Sequence, residues 1–397
     1  MKRIFNIIIK IYRKIITIYL LHNINIKTKI HSFNIIDNLN KSIDIFNDQN
    51  NEIKDKCNNL RENTLIKYKD LYKKYNLKFM IHVPNTFSMG GKSVFENWIE
   101  GLNYLGVECK AIPWNFYNNK FIDQFKPNLI ITSDHHLYLN QLDWNYLKNY
   151  KKEHNCLFSL SASHEKEGNT LNQQRLEVAK ENKVDFYFSF YNQDYISNNY
   201  GEWSDYGYDI ISIPFSGNPL TYFFEELSVN KYDYTFLGST NPEKAGRYYK
   251  FFSRIFRKYE GLIIGPGWNF NNDKLLDRRL HNKYYHSGNI ALNLHIPSQI
   301  EHNTELNERT FSIASCATFQ LIDNPKALST FFPETNKVAY ANNPKEYHDL
   351  FRYFINYPEK RTSYILYALK IIYKKNTIFH RMSNLIEYVI NINSNSI

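Results

Sequence analysis

A chain of 397 residues, 43% of them hydrophobic, is too long for one core and suits two domains plus an extension. The net charge of +10 is uneven: residues 1–78 hold 16 Lys and Arg against 7 Asp and Glu, so residues 79–397 sum to +1, which argues against nucleic acid as a partner of the globular part. Four cysteines, Cys57, Cys109, Cys156 and Cys316, form no C-x-x-C pair, which argues against a zinc site or disulfide framework and for a reduced, cytoplasmic chain.

Residues 1–77 read as a helical extension. Residues 1–21 place Ile4, Ile8, Ile11, Ile15 and Ile18 on one helical face and Arg3, Lys10 and Arg13 on the other, with no acid before Asp37. Such a helix suits the surface of an anionic bilayer, and the expected location is cytoplasmic with peripheral membrane contact. Its longest uncharged stretch is too short to span a bilayer, and no small-residue cleavage site follows. Over residues 36–60, Leu39, Ile43, Phe46, Asn50, Ile53, Cys57 and Leu60 recur at three- and four-residue spacing. This imperfect heptad seam is expected either to pair two copies of the chain or to fold back on its own domain.

Residues 78–226 read as a first doubly wound domain. Strands are expected at 78–84, 107–112, 128–132, 156–160, 185–190 and 209–214, with helical segments between several of them. Gly90 and Gly91, after the first strand, are site candidates through close backbone approach, or a plain tight turn. The loop ending in Gly91-Lys92-Ser93 resembles half a P-loop, but the first glycine of that motif would fall on Thr86. His135 and His164 follow later strands, at the carboxyl ends where open α/β sheets bind ligands.

Residues 227–397 read as a second domain of the same class. A strand at 232–238 ends in Gly238-Ser239, whose amides suit a phosphate within reach of Lys244 or Arg247. The densest signal is the run from Asn289 to Asp323. It reads as a strand at 290–294, a polar loop with His295, Ser298 and Gln299, a helix opened around Asn307, Glu308 and Arg309, and a strand at 318–322. An arginine at such a helix start beside a His-x-x-Ser loop suits an anionic diphosphate, although an ordinary βαβ unit with a solvated first turn reads the same way. A last helix is expected at 376–390.

Asn307-Glu308-Arg309-Thr310-Phe311-Ser312-Ile313-Ala314-Ser315-Cys316-Ala317, followed by Phe319-Gln320-Leu321-Ile322-Asp323, resembles the donor segment of CgeB-like (spore maturation protein B-type) glycosyltransferases. A looser resemblance runs from Tyr232 to Tyr388. It implies a GT-B fold: two Rossmann-like doubly wound α/β domains, the first facing the acceptor and the second binding a nucleotide sugar. The acceptor would be a glycan, lipid or protein. The resemblance further implies donor contacts from Gly90, Gly91, Gly238, Ser239, Arg247, His295, Ser298, Glu308, Arg309 and Ser312. Arg309 and the Ser239 amides would bind the diphosphate, Glu308 or Ser312 the ribose, and His164, with His135 nearby, the transferred sugar. No Asp-x-Asp occurs, so neither metal nor cofactor is expected. The family's acidic residue and first glycine fall on Ser312 and Ala317. A catalytically inactive GT-B-like scaffold at a membrane therefore stands as the alternative, and a P-loop nucleotidase around Lys92 as a further rival.

Overall fold

The computed structural model describes Tyr19 and residues 47–83, 89–113, 119–162, 169–225, 232–240, 244–268 and 277–395. The chain divides into two compact units. One comprises residues 63–220 and 375–397; the other comprises residues 221–374 together with those before 63. Helix α1 (Asn47–Tyr68) precedes the first strand.

The first unit is built on a six-stranded sheet with strands β1 (Lys78–Val83), β2 (Glu108–Pro113), β3 (Leu129–Ser133), β4 (Leu157–Ser161), β5 (Phe186–Ser189) and β6 (Ile210–Ser212). Their order is β2-β1-β3-β4-β5-β6 and every pairing is parallel. Continuous apolar runs such as Phe79-Met80-Ile81 suit strands covered on both faces, and all three residues are fully buried. Helices α2 (Met89–Tyr104), α3 (Asn119–Phe125), α4 (Trp144–His154) and α5 (Asn169–Glu181) alternate with the strands. Asp143 starts α4 by accepting the Tyr146 N–H, and Asn155 closes it in the left-handed conformation.

The second unit has a five-stranded sheet of β7 (Tyr232–Leu237), β8 (Gly261–Ile264), β9 (Gly288–Asn293), β10 (Gln320–Asp323) and β11 (Tyr340–Ala341), in the order β11-β10-β9-β7-β8, again all parallel. Its helices include α6 (Ala245–Lys258), α7 (Glu308–Ser315), α8 (Pro344–Asn356) and α9 (Arg361–Lys375). An aromatic core fills the space between α6, α8 and the sheet. Phe236, Tyr248, Phe252, Phe256, Trp268 and Tyr347 are all buried there, with ring centroids 5.2 to 6.1 Å apart.

The last helix, α10 (Ile378–Asn395), belongs to the first unit. Phe379, Met382, Leu385, Ile386 and Val389 are buried against the α2 residues Trp98 and Leu102. A Cβ on Gly101 would lie 2.8 Å from Ile378, so α10 depends on a glycine in α2 for its approach. The division between units falls at Leu220 and Thr221, rather than at residue 226, and the C-terminal helix leaves the second unit.

The heptad seam behaves differently from its pairing reading. Ile53 and Cys57 are buried against Ala317, Leu369 and Tyr373 of the same chain, so from Ile53 onward the apolar stripe is already covered. The seam residues before 47, and residues 1–18, lie outside the described residues. Among the described residues no helix is long and apolar enough to cross a membrane.

Candidate functional site

In each sheet the strand order reverses once, between β1 and β3 and between β7 and β9. Such reversal points, at the carboxyl ends of the strands, are where open parallel sheets hold ligands. In the second unit, polar side chains converge at that place. Arg309, in the first turn of α7, ties the two diverging strands together. Its Nε donates to the Leu237 carbonyl at the end of β7 (2.7 Å), and its Nη1 donates to Oδ1 of Asn293 at the end of β9 (3.3 Å). The guanidinium carbon lies 4.8 Å from the centre of the Phe236 ring, which supports it from one side.

Gly238 is required by this arrangement, because a Cβ there would lie 2.3 Å from Arg309 Nη2. Gly265, at φ +147°, is required as well: its Cβ would lie 2.3 Å from the Gly238 carbonyl oxygen. The turn after β7 is held by its carbonyls. Trp268 Nε1 donates to Gly238 O (2.7 Å) and the Tyr248 hydroxyl donates to Ser239 O (3.3 Å). Of the two amides expected to face a phosphate, Gly238 N–H is already committed to Ile264 O (2.8 Å), whereas Ser239 N–H has no acceptor among the described residues. Arg309 likewise enters no ion pair among them, and its Nη2 donates to none of them.

Behind Arg309 sits a buried polar network. Asn307 caps α7 by accepting the Thr310 N–H (3.0 Å), and its amide donates to Asn293 Oδ1 (3.0 Å) and Leu294 O (3.1 Å). Asn293 in turn donates to the Thr310 hydroxyl (2.9 Å). Asp323, at the end of β10, accepts from His295 Nδ1 (2.6 Å), from the His295 N–H (2.9 Å) and from Arg247 Nη2 (2.6 Å). Burial pushes the His295 imidazole below its ordinary pKa, against the opposing pull of Asp323 beside it. Burial alone would raise the Asp323 carboxyl, but His295 and Arg247 beside it bring it below the usual carboxylate value. Asp323 therefore compensates Arg247 and not Arg309.

The expected site residues separate into three groups. Gly238, Ser239 and Arg309 meet at the strand reversal. His295 and Arg247 are near but engaged: His295 is fully buried between Asp323 and Thr310 (Nε2 to the hydroxyl, 3.3 Å), and thus props the site rather than lining it. Ser312 is buried with its hydroxyl donating to Glu308 O (3.2 Å) within α7, while Glu308 is half-buried in the first turn. Ser298 is exposed on the short helix Pro297–Glu301, whose neighbour Gln299 braces the loop by accepting from the Ile296 N–H and donating to Glu305 (2.7 Å).

In the first unit, Gly90 and Gly91 lie inside the first turn of α2, not in a loop before it, and Lys92 pairs with Glu96 (3.6 Å) along that helix. His135 is half-buried, its backbone N–H donating to Ser133 Oγ and its ring edge-on to Tyr138. His164 lies outside the described residues. Four contributors escaped the sequence reading: Asn293, Thr310, Asp323 and His281, whose pKa burial and the Arg309 and Arg278 charges push down to about 4. A polar residue ending an apolar strand, as in Asn293 and Asp323, was the available signal. Among the described residues no group of three or more His, Cys, Asp or Glu is placed to hold a metal ion.

The fold has relatives among solved structures. A sucrose-phosphate synthase from Thermosynechococcus elongatus aligns over 81% of this chain and 100% of its own, at 9% identity and a TM-score of 0.55. An alpha-glucosyltransferase solved with UDP and a 13-mer DNA aligns over 79% and 99%, at 11% identity and a TM-score of 0.56. A glycosyltransferase from Rickettsia africae ESF-5 gives 81% and 99%, at 10% identity and 0.53. The fold is GT-B.

Within the GT-B chain, residues 247–387 match a family model described as glycosyl transferase-like, which takes in α7 and Arg309. The spore protein CgeB of Bacillus subtilis (strain 168) is 31% identical over 86 residues, 20% of this chain. The match spans about a quarter (26%) of that protein's length.

Proposed function

We propose that this chain is a glycosyltransferase that takes a sugar from a nucleotide-diphosphate donor, without metal or cofactor, and passes it to a glycan, lipid or protein acceptor. The observation that carries the reading is Arg309: a cation without a carboxylate partner among the described residues, fixed by two strand ends where the second sheet reverses, beside a Ser239 N–H that none of those residues accepts. Glycosyl transfer leaves negative charge on the departing nucleoside diphosphate, and donors fixed beforehand in a partly buried place stabilise it most effectively. Arg309 and Ser239 N–H bind the diphosphate in this reading. Glu308 takes the ribose, because the Ser312 hydroxyl is used by its own helix. His164 remains the expected contact to the transferred sugar, with His135 a lesser one. Arg247 and His295 support the site through Asp323, and Gly90, Gly91 and Ser298 remain expected donor contacts. Similarity to the spore protein CgeB over 86 residues supports a related donor chemistry, and residues 1–21 support contact with an anionic membrane surface.

The test is a thermal-shift screen with UDP-, GDP-, ADP- and CMP-linked sugars, since a ligand bound only by the folded state raises the midpoint. One or more donors should raise it in the native chain and none should in Arg309→Ala. Equal shifts in both proteins would remove Arg309 from the site.

The alternative, a GT-B-like scaffold that binds donor without turning it over, is favoured by the Ser312 hydroxyl being spent on Glu308 O and by Ala317 standing at φ +56° where the family pattern has glycine. Donor binding with neither transfer nor hydrolysis of the sugar would select it.

A further inference from the structure

Helix α6 carries Arg247, Lys250, Arg254, Arg257 and Lys258 and no acid. Residues 79–397 sum to +1, so this one helix holds five positive charges and the rest of the globular part is net negative by four. The inner face of α6 is Tyr248, Phe251, Phe252, Ile255 and Phe256, all buried in the aromatic core, which fixes the orientation of the other face. Lys250, Arg254 and Arg257 fall at i, i+4 and i+7, with Lys258 beside them, and all four are exposed. None enters an ion pair among the described residues, and Arg257 only donates to the Ser253 carbonyl of its own helix. Tyr249, 39% exposed, lies next to Lys250 on the same helix. On the packed neighbour α8, Arg352 is exposed beside Asp349 (3.1 Å), and Glu260 follows the end of α6. Neither Asp349 nor Glu260 forms an ion pair with the row among the described residues.

We propose that the outer face of α6 docks on an anionic lipid surface. A row of four uncompensated cations with a tyrosine at its side matches the charge of phosphate headgroups and the preference of Tyr for the interface. The row lies on the outside of a rigid helix of about 20 Å, and contacts a plane without any change of fold. The charge of residues 1–21 has the same sign, and the α6 face is built on a folded core. The proposal is independent of the donor site.

Co-sedimentation with phosphatidylcholine vesicles containing 30 mol%, or about a third, phosphatidylglycerol tests it. Four full-length proteins are compared: the native chain; a chain with Lys2, Arg3, Lys10, Arg13 and Lys14 changed to Gln; that chain with Lys250→Glu, Arg254→Glu and Lys258→Glu added; and that chain with Lys152→Glu and Lys180→Glu added instead. The Gln chain should still bind, with pure phosphatidylcholine as the negative control. The α6 reversal should weaken partition about a hundredfold, and the Lys152/Lys180 reversal should not. Far-ultraviolet circular dichroism identical to the native chain shows that exposed charge, not folding, was altered. The proposal is overturned if the Gln chain does not bind, if the α6 reversal binds as well as its parent, or if the α6 charges retain only a DNA oligonucleotide and no vesicle.

Discussion

Arg309 depends on neighbours that themselves carry no charge. Asn293 and the Leu237 carbonyl hold its Nη1 and Nε, and Gly238 leaves room for Nη2. Gly238→Ala should therefore displace the guanidinium and abolish the donor-dependent thermal shift with little loss of secondary structure, read by circular dichroism. Asp323 serves a different purpose, since it compensates Arg247 and fixes the His295 ring. Asp323→Ala leaves the half-buried Arg247 and the buried His295 Nδ1 without their acceptor and should cost about 3 kcal/mol of unfolding free energy in urea titration. A loss below about 1 kcal/mol would show that the pair does not hold the site together. Ala317, at φ +56° and 4% exposed, tolerates its left-handed backbone because its methyl is small. Ala317→Val places a β-branched side chain in that conformation and should destabilise by about 2 kcal/mol.

Strands and helices were the readable scale. Parallel strands covered on both faces are apolar runs, so Phe79-Met80-Ile81 and Leu129-Ile130-Ile131 stand out in the sequence, and boundaries shifted by one or two residues in either direction, as where β9 begins at Gly288 and β10 at Gln320. The helix holding Arg309 was legible because Asn307 caps it with a side chain whose role is local. The network behind it was not. His295 and Asp323 are 28 residues apart and meet only because β9 and β10 pair in parallel. From sequence a histidine after a strand looks like a ligand, and only the register shows it sealed between Asp323 and Thr310. The two-residue β11 was missed for want of length, and Gly90-Gly91 looked like a loop because glycines rarely open a helix.

At the scale of the molecule, the two-domain plan followed from length and from two series of alternating strands and helices. The return of α10 to the first unit was not legible in the residues, because its apolar stripe suits any core. Stability should also depend on pH in a definite direction. Burial pushes His281 and His286 down to about 4, against 6.5 for an unperturbed imidazole. Both stay neutral in the folded chain while the unfolded chain takes up protons. The stabilisation is complete above about pH 6.5 and is lost as pH falls toward 4. Urea midpoints measured from pH 7 to 5 should fall by an amount equivalent to roughly 4 kcal/mol, and a flat profile would contradict the burial of these rings.

The central claim is that the carboxyl ends of β7 and β9 form a diphosphate site organised by Arg309. Calorimetric titration of UDP, GDP, ADP and CDP into the native chain and into Arg309→Ala addresses it most directly. At least one nucleoside diphosphate should bind the native chain, and the substitution should weaken that binding about tenfold or more, the worth of a charge-assisted hydrogen bond. Undiminished binding to Arg309→Ala, or no binding of any of the four to the native chain, would contradict the account.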